Sequence, residues 1–220
     1  PIVRRMLHPP RRGPRHLPAA LLARAEDVSI PGRRFRLKAW LLLPDGSPVG
    51  TVVIVHGWGG DAGRIAPLAA HVVARGMAVL LVDLPGHGLS SGEPAVIDDF
   101  GDYSRAIDDV LRAVELPSLP LWVMAQSTGG AALVDYAGKY AWPFAAAVLL
   151  APALPVGHPG VEGPRGLALV GQPGGGFLDL LARLAIDDAG VALVLVAQEA
   201  QQLAQRIVLL DDGVADVRPV

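Results

Sequence analysis

Cysteine is missing from all 220 residues of the chain, which excludes disulfides, thiolate metal sites and a cysteine nucleophile. No stretch reaches the roughly 18 uninterrupted apolar residues of a membrane-spanning helix, and no secretory signal is visible at the N-terminal end. The six histidines show no spacing typical of metal ligands. We therefore expect a cytoplasmic protein without a transmembrane segment, a bound metal or a cofactor.

The composition, 51% hydrophobic and 18% charged, predicts one folded domain over residues 28–220. A Pro/Arg-rich extension over residues 1–27 precedes it. Residues 1–38 carry ten Lys/Arg against two acids, whereas the remaining residues carry nine against 19. This basic start predicts either a solvated extension or a peripheral contact with an anionic membrane surface. Residues 1–27 contain no Phe, Tyr or Trp among their basic residues, which argues against nucleic acid.

Apolar runs alternate with helical periodicity from residue 28 onwards. Buried or half-buried strands are predicted at 34–43, 51–55, 77–82, 121–125 and 144–150, and helices at 64–75, 100–114 and from 131 to about 139. Such alternation with short glycine turns indicates an α/β fold with a mostly parallel central sheet and helices on both faces. Ligands of such sheets bind at the carboxyl ends of the strands.

Three glycine-rich turns follow predicted strands and should meet at one crevice. They are His56–Gly60, Asp83–Gly92 and the stretch from Ala125 to Gly130. In the third, Ser127 stands between a short strand and a helix, with Ala125 and Gly129 two residues away on either side. This is the layout of a nucleophile elbow, in which the turn is so tight that larger side chains at the two flanking positions would collide with each other. Ser127 is therefore the candidate nucleophile, attacking an ester or amide carbonyl.

The order and spacing of these turns resemble the α/β-hydrolase superfamily over roughly residues 28–155. The branch that they resemble contains monoacylglycerol-lipase-like, lysophospholipase-like and serine-aminopeptidase-like hydrolases. The resemblance implies a serine hydrolase that acts on carboxylic esters, of lipid or monoacylglycerol type, through an acyl-enzyme on Ser127. It also implies that the backbone N–H groups of Trp58 and Thr128 stabilise the oxyanion, with Gly57 giving the backbone freedom for the former. His56, His87 and Asp83 would support the loops rather than catalyse.

The C-terminal part departs from this pattern. Residues 156–178 form a Gly/Pro-rich stretch in place of a lid, in which we predict no regular element and which would leave the crevice open to small esters. Atypical closing elements follow over 179–220, with a helix from Phe177 to Ala185 and strands from Val191 to Val196 and from Arg206 to Leu210. The glycine-rich run at residues 171–176 lacks the Lys-Ser/Thr of a phosphate loop, which excludes nucleotide binding there.

The catalytic acid and base are the open question of the sequence. The family order is serine, acid, histidine. Glu199 occupies roughly the position of the acid, although it also suits the first turn of a helix. His158 is the histidine that follows Ser127 in the chain, and it stands much earlier than the family's base.

Three interpretations of this pattern stay open. If the reading frame is shifted beyond residue 155, the natural protein carries its acid and histidine in a different C-terminal sequence. Alternatively, His158 reaches Ser127 from a long loop and serves as its base. In the third interpretation, a degenerate hydrolase binds acyl or ester ligands without turnover, because a serine without a base is a weak nucleophile.

Overall fold

The computed structural model describes residues 17–150 and the backbone of residues 168–170 and 192–196. Its helices are α1 (Ala19–Leu22), α2 (Ala62–Val73), α3 (Gly101–Ala113) and α4 (Thr128–Lys139). Its strands are β1 (Ala25–Pro31), β2 (Arg36–Leu42), β3 (Thr51–Val55), β4 (Ala78–Asp83), β5 (Leu121–Gln126), β6 (Ala146–Leu150), β7 (Ala168–Val170) and β8 (Ala192–Val196).

The eight strands form one sheet in the order β1-β2-β4-β3-β5-β6-β8-β7. Strand β3 lies between β4 and β5 and pairs with both in parallel, and β5 pairs with β6 in parallel. Strands β1, β2 and β4 are antiparallel neighbours, and β8 runs antiparallel to β6. The predicted mostly parallel α/β sheet is confirmed.

Every residue of β3 is buried, because helices cover both faces of the sheet at this point. Val52 and Ile54 face the cluster that packs on α2, while Val53 and Val55 face the cluster that packs on α3 and α4. This alternation follows from the two-residue period of a strand. No helix among the described residues is long and apolar enough to cross a membrane.

Two parts of the fold differ from the expectation. Helix α1 and strand β1 begin before residue 28, where we expect the domain to start, and Leu17 and Leu21 are buried in the α2-side cluster. Strand β7 lies within residues 156–178, for which we predict no regular element. That prediction is wrong for three residues, because a run as short as Ala168–Val170 shows no period and is fixed by its pairing with β8.

Candidate active site

Ser127 stands at the carboxyl end of β5, immediately before α4, and is half-buried. Its φ of 48° and ψ of −115° lie outside the regions that residues with a side chain favour. Such a conformation costs roughly 1–3 kcal/mol and persists where the surroundings enforce it. The Ser127 N–H donates to the Leu150 carbonyl (2.9 Å), and the Ala131 N–H donates to the Ser127 carbonyl (3.1 Å). The end of β6 and the first turn of α4 thus hold the strained serine from both sides.

The loop after β3 approaches the serine closely. Val55 and Ala125 are partners in the parallel β3–β5 pair, so the two strands end level with each other. A Cβ atom added to Gly57 would lie only 3.0 Å from the Ser127 Cβ. The φ of Gly57 lies outside the left-handed range. Lack of space therefore favours glycine at this position, and a left-handed φ does not.

Gly129 is required for a related reason. A Cβ atom there would lie 2.5 Å from the His56 carbonyl oxygen and 2.9 Å from that of Val55. We predict a collision between the two residues that flank Ser127, whereas the structure places the backbone of the neighbouring strand against this glycine. The sequence therefore identifies the residue type correctly and the neighbour wrongly. Ala125, the other flanking residue, is buried between β3 and β6.

His56 is a buried anchor of the same loop. Its Nδ1 donates to the Gly57 carbonyl (2.7 Å), and its Nε2 accepts from the Leu84 N–H (3.0 Å). The second bond requires an unprotonated Nε2, so the ring is neutral with its proton on Nδ1. Burial lowers the pKa of His56 to about 4, against smaller opposing effects of the Gly57 hydrogen bond and of Asp61. Since both ring nitrogens are engaged, His56 supports the loop and is not a base for Ser127.

The anchor also orients one peptide unit. The Gly57 carbonyl accepts from His56 Nδ1 and from the Gly60 N–H (3.0 Å). Because a trans peptide is planar, the Trp58 N–H points away from these donors. The candidate oxyanion donor, the Trp58 N–H, thus belongs to a peptide whose carbonyl group is held by two hydrogen bonds.

Asp83, at the end of β4, joins the second turn to α2. One carboxylate oxygen accepts from the Ala62 N–H (2.7 Å) and the other from the Leu89 N–H (2.8 Å). Burial raises the pKa of Asp83, while these two hydrogen bonds act in the opposite direction. At Gly88, with φ of 49°, an added Cβ would lie within 1.9 Å of this carboxylate.

His87 is buried, and its Nδ1 donates to the Pro85 carbonyl (2.8 Å). These contacts agree with supporting roles for both side chains.

One contact was not anticipated from the sequence. The Trp58 indole Nε1 donates to the Ala95 carbonyl (3.1 Å), and Ala95 has a φ of 54°. Ala95 and Ser127 are the two non-glycine residues with positive φ in the described part of the chain. No local signal reveals this contact, because the two residues stand 37 positions apart in the chain.

The candidate site residues lie partly within and partly outside the described residues. Ser127, Thr128 and Trp58 lie at one edge of the sheet, where β3 and β5 end. Glu199, His158 and the glycine run at residues 171–176 lie outside the described residues. So do the predicted helix from Phe177 to Ala185 and the predicted strand from Arg206 to Leu210. Within the described ranges, no group of three or more His, Asp and Glu residues is placed to hold a metal ion.

Comparisons with known proteins place the chain in a family of hydrolases. The family model described as serine aminopeptidase, S33, matches residues 46–205. A monoacylglycerol lipase of Mycolicibacterium smegmatis is 32% identical over 137 residues, covering 61% of this chain and 48% of that protein. The human monoglyceride lipase is 32% identical over 148 residues, covering 65% and 46%. The chain thus spans about half the length of the curated relatives that it matches.

Among solved structures, an esterase of Pyrococcus furiosus superposes with a TM-score of 0.52 at 21% identity. The superposition covers 63% of this chain and 55% of that one. This similarity shows the α/β-hydrolase fold that the glycine turns predict. The family match also runs past residue 155, where the resemblance in the motifs ends.

Proposed function

Because the chain belongs to the serine aminopeptidase S33 family, we propose that it hydrolyses carboxylic esters through an acyl-enzyme on Ser127. The observation that carries the proposal is the backbone of Ser127, with its φ of 48° between β5 and α4. A strained strand-to-helix turn that presents a serine is the nucleophile elbow of α/β-hydrolases.

The proposed reaction has two steps. The Ser127 hydroxyl loses its proton to a base and its oxygen bonds to the ester carbonyl carbon, and the alcohol leaves with a proton. Water then adds to the acyl-enzyme and releases the carboxylic acid and free Ser127. The N–H groups of Trp58 and Thr128 stabilise the oxyanion in both steps, and loss of one such donor typically costs ~10²–10³ in kcat. His158 is the proposed base and Glu199 the proposed acid that orients it.

We propose small carboxylic esters and monoacylglycerols as the substrate class. Two relatives carry the names monoacylglycerol lipase and monoglyceride lipase. Trp58 and Leu89 follow β3 and β4 at the same sheet edge as Ser127, and the two residues are 42% and 46% exposed. Apolar surface at this edge suits an acyl chain. We also propose that the protein is cytoplasmic and binds no nucleic acid. Its basic residues 1–27 would contact an anionic membrane surface.

A second function is binding without turnover. It is favoured by the engagement of both His56 nitrogens, which leaves Ser127 dependent on a base from elsewhere. In this case the crevice would hold an ester or acyl ligand that stays intact.

Ester hydrolysis separates the two functions. Nitrophenyl esters of increasing chain length and a monoacylglycerol are offered to the wild-type chain and to Ser127→Ala. Hydrolysis by the wild type and loss of at least ~10³-fold in the variant support the enzyme. A folded wild type that cleaves none of them contradicts it, and a marked preference for long acyl chains contradicts the open crevice.

A further inference from the structure

We propose that Trp58 is a positioning residue whose side chain fixes its own backbone amide as oxyanion donor, by the indole hydrogen bond to the Ala95 carbonyl. The inference rests on the function proposed above and deepens it, since it assigns a task to the indole. An oxyanion donor acts through its preset direction, so what holds the Trp58 peptide still affects the rate.

The indole is held although it is not buried. Trp58 is 42% exposed, so packing alone constrains it weakly. The hydrogen bond from Nε1 to the Ala95 carbonyl (3.1 Å) joins it to the segment that follows β4. The peptide that joins Gly57 to Trp58 is already fixed at the Gly57 carbonyl by His56 and Gly60. The Trp58 N–H therefore lies between two anchors, one on the β3 side and one on the β4 side.

The acceptor is itself held firmly. Ala95 has a φ of 54°, a left-handed conformation that an alanine adopts rarely. Its N–H donates to the Gly86 carbonyl (3.0 Å), and the Gly86 N–H donates to the Ser91 carbonyl (2.9 Å). A Cβ on Gly86 would lie 2.4 Å from the Glu93 carbonyl oxygen, so the backbone at Gly86 and the backbone at Glu93 are in close contact. Strain maintained by such contacts is typical of functional segments, and here it aims the Ala95 carbonyl at the indole.

The kinetic test uses Trp58→Phe, which keeps an aromatic ring and removes the N–H donor. We expect kcat for a nitrophenyl ester to fall about tenfold with KM unchanged, since the lost interaction acts on the transition state. Leu119→Ala, at an exposed apolar residue before the amino end of β5, is the control and should keep the wild-type kcat. An unchanged kcat in Trp58→Phe overturns the proposal. A raised KM alone also overturns it, because the indole would then only contact substrate.

Ala95→Val tests the other end of the bond. A β-branched residue tolerates the left-handed region poorly, so the carbonyl should turn away from the indole. We expect a similar fall in kcat. In the double variant, the fold-loss in kcat should be much smaller than the product of the fold-losses in the two single variants. Fully multiplicative losses would contradict a shared hydrogen bond.

A third measurement does not depend on activity. In the nuclear magnetic resonance spectrum of Ala95→Val, the indole and backbone N–H signals of Trp58 should shift, and the indole proton should exchange faster with solvent. Unchanged Trp58 signals overturn the proposal even if the wild-type chain hydrolyses no ester. If the wild-type chain hydrolyses no ester, the proposed function fails, but shifted Trp58 signals would still establish the hydrogen bond.

Discussion

Replacement of Gly129 by alanine tests the close approach on which the site depends. The new methyl carbon would lie 2.5 Å from the His56 carbonyl oxygen, 2.9 Å from the Val55 carbonyl oxygen and 3.0 Å from the Val55 Cγ1. Two of these atoms belong to the backbone and cannot move aside by rotation of a side chain. The amino end of α4 must therefore separate from the carboxyl end of β3, and Ser127 moves with the helix.

Overpacking of this kind costs about 1–3 kcal/mol, while alanine gains up to ~1 kcal/mol over glycine in a helix. We expect a net loss of about 1–2 kcal/mol, which corresponds to about 2–8 °C in Tm for a domain of this size. A displacement of Ser127 by about 1 Å would also lower kcat by ~10². Thermal unfolding and ester hydrolysis measure the two effects.

Gly46→Ala is the matched control, because no atom lies within 4 Å of an added Cβ at that position. Its φ is not positive, so alanine should be neutral or stabilise by up to ~1 kcal/mol. If Gly129→Ala unfolds at the same temperature as Gly46→Ala, or hydrolyses esters at the wild-type rate, the close approach is refuted.

Two further predictions concern buried polar groups. The pKa of His56 is lowered to about 4 from its ordinary value of 6.5, so the unfolded chain binds this proton first as the pH falls. His56 thus contributes to the free energy of unfolding above about pH 6.5, and this contribution decreases towards pH 4. Urea unfolding should show a loss of about 2 kcal/mol between about pH 7 and pH 5. Asp83→Asn leaves only one acceptor for the Ala62 and Leu89 N–H groups and should destabilise the fold by ~1–3 kcal/mol.

Each of these has its own control. His56→Asn retains a donor for Gly57 but does not titrate, so it should lack the His56 part of the pH dependence; an identical slope in both proteins would contradict the assignment. Asp45→Asn changes an exposed carboxylate, paired with Arg24 at the surface, and should cost less than ~1 kcal/mol. Equal losses at Asp45 and Asp83 would contradict the two buried hydrogen bonds.

The central strands and the serine turn could be predicted from the sequence because their signals are local. Thr51–Val55 is a continuous β-branched and apolar run, and the structure has β3 at those residues. The serine between a strand and a glycine likewise marks its own turn. By contrast, β1 is an edge strand whose residues are largely exposed, so its pairing with β2 rather than its own pattern defines it.

Contacts between distant segments explain the remaining differences. Nothing near Gly129 in the sequence reveals that the His56 carbonyl lies against it, since the pairing of β3 with β5 brings them together. The bond between Trp58 and Ala95 depends in the same way on how two loops meet. The sequence therefore predicts which residue types the site needs and leaves their neighbours to the fold.

The central claim, that Ser127 is an activated nucleophile, is tested most directly by covalent labelling. A fluorophosphonate probe is incubated with the wild-type chain and with Ser127→Ala, and the adduct is located by mass spectrometry. We predict one adduct per chain on the peptide that contains Ser127 and none in the variant. A folded wild-type chain that stays unlabelled, or a variant labelled to the same extent, would contradict the claim.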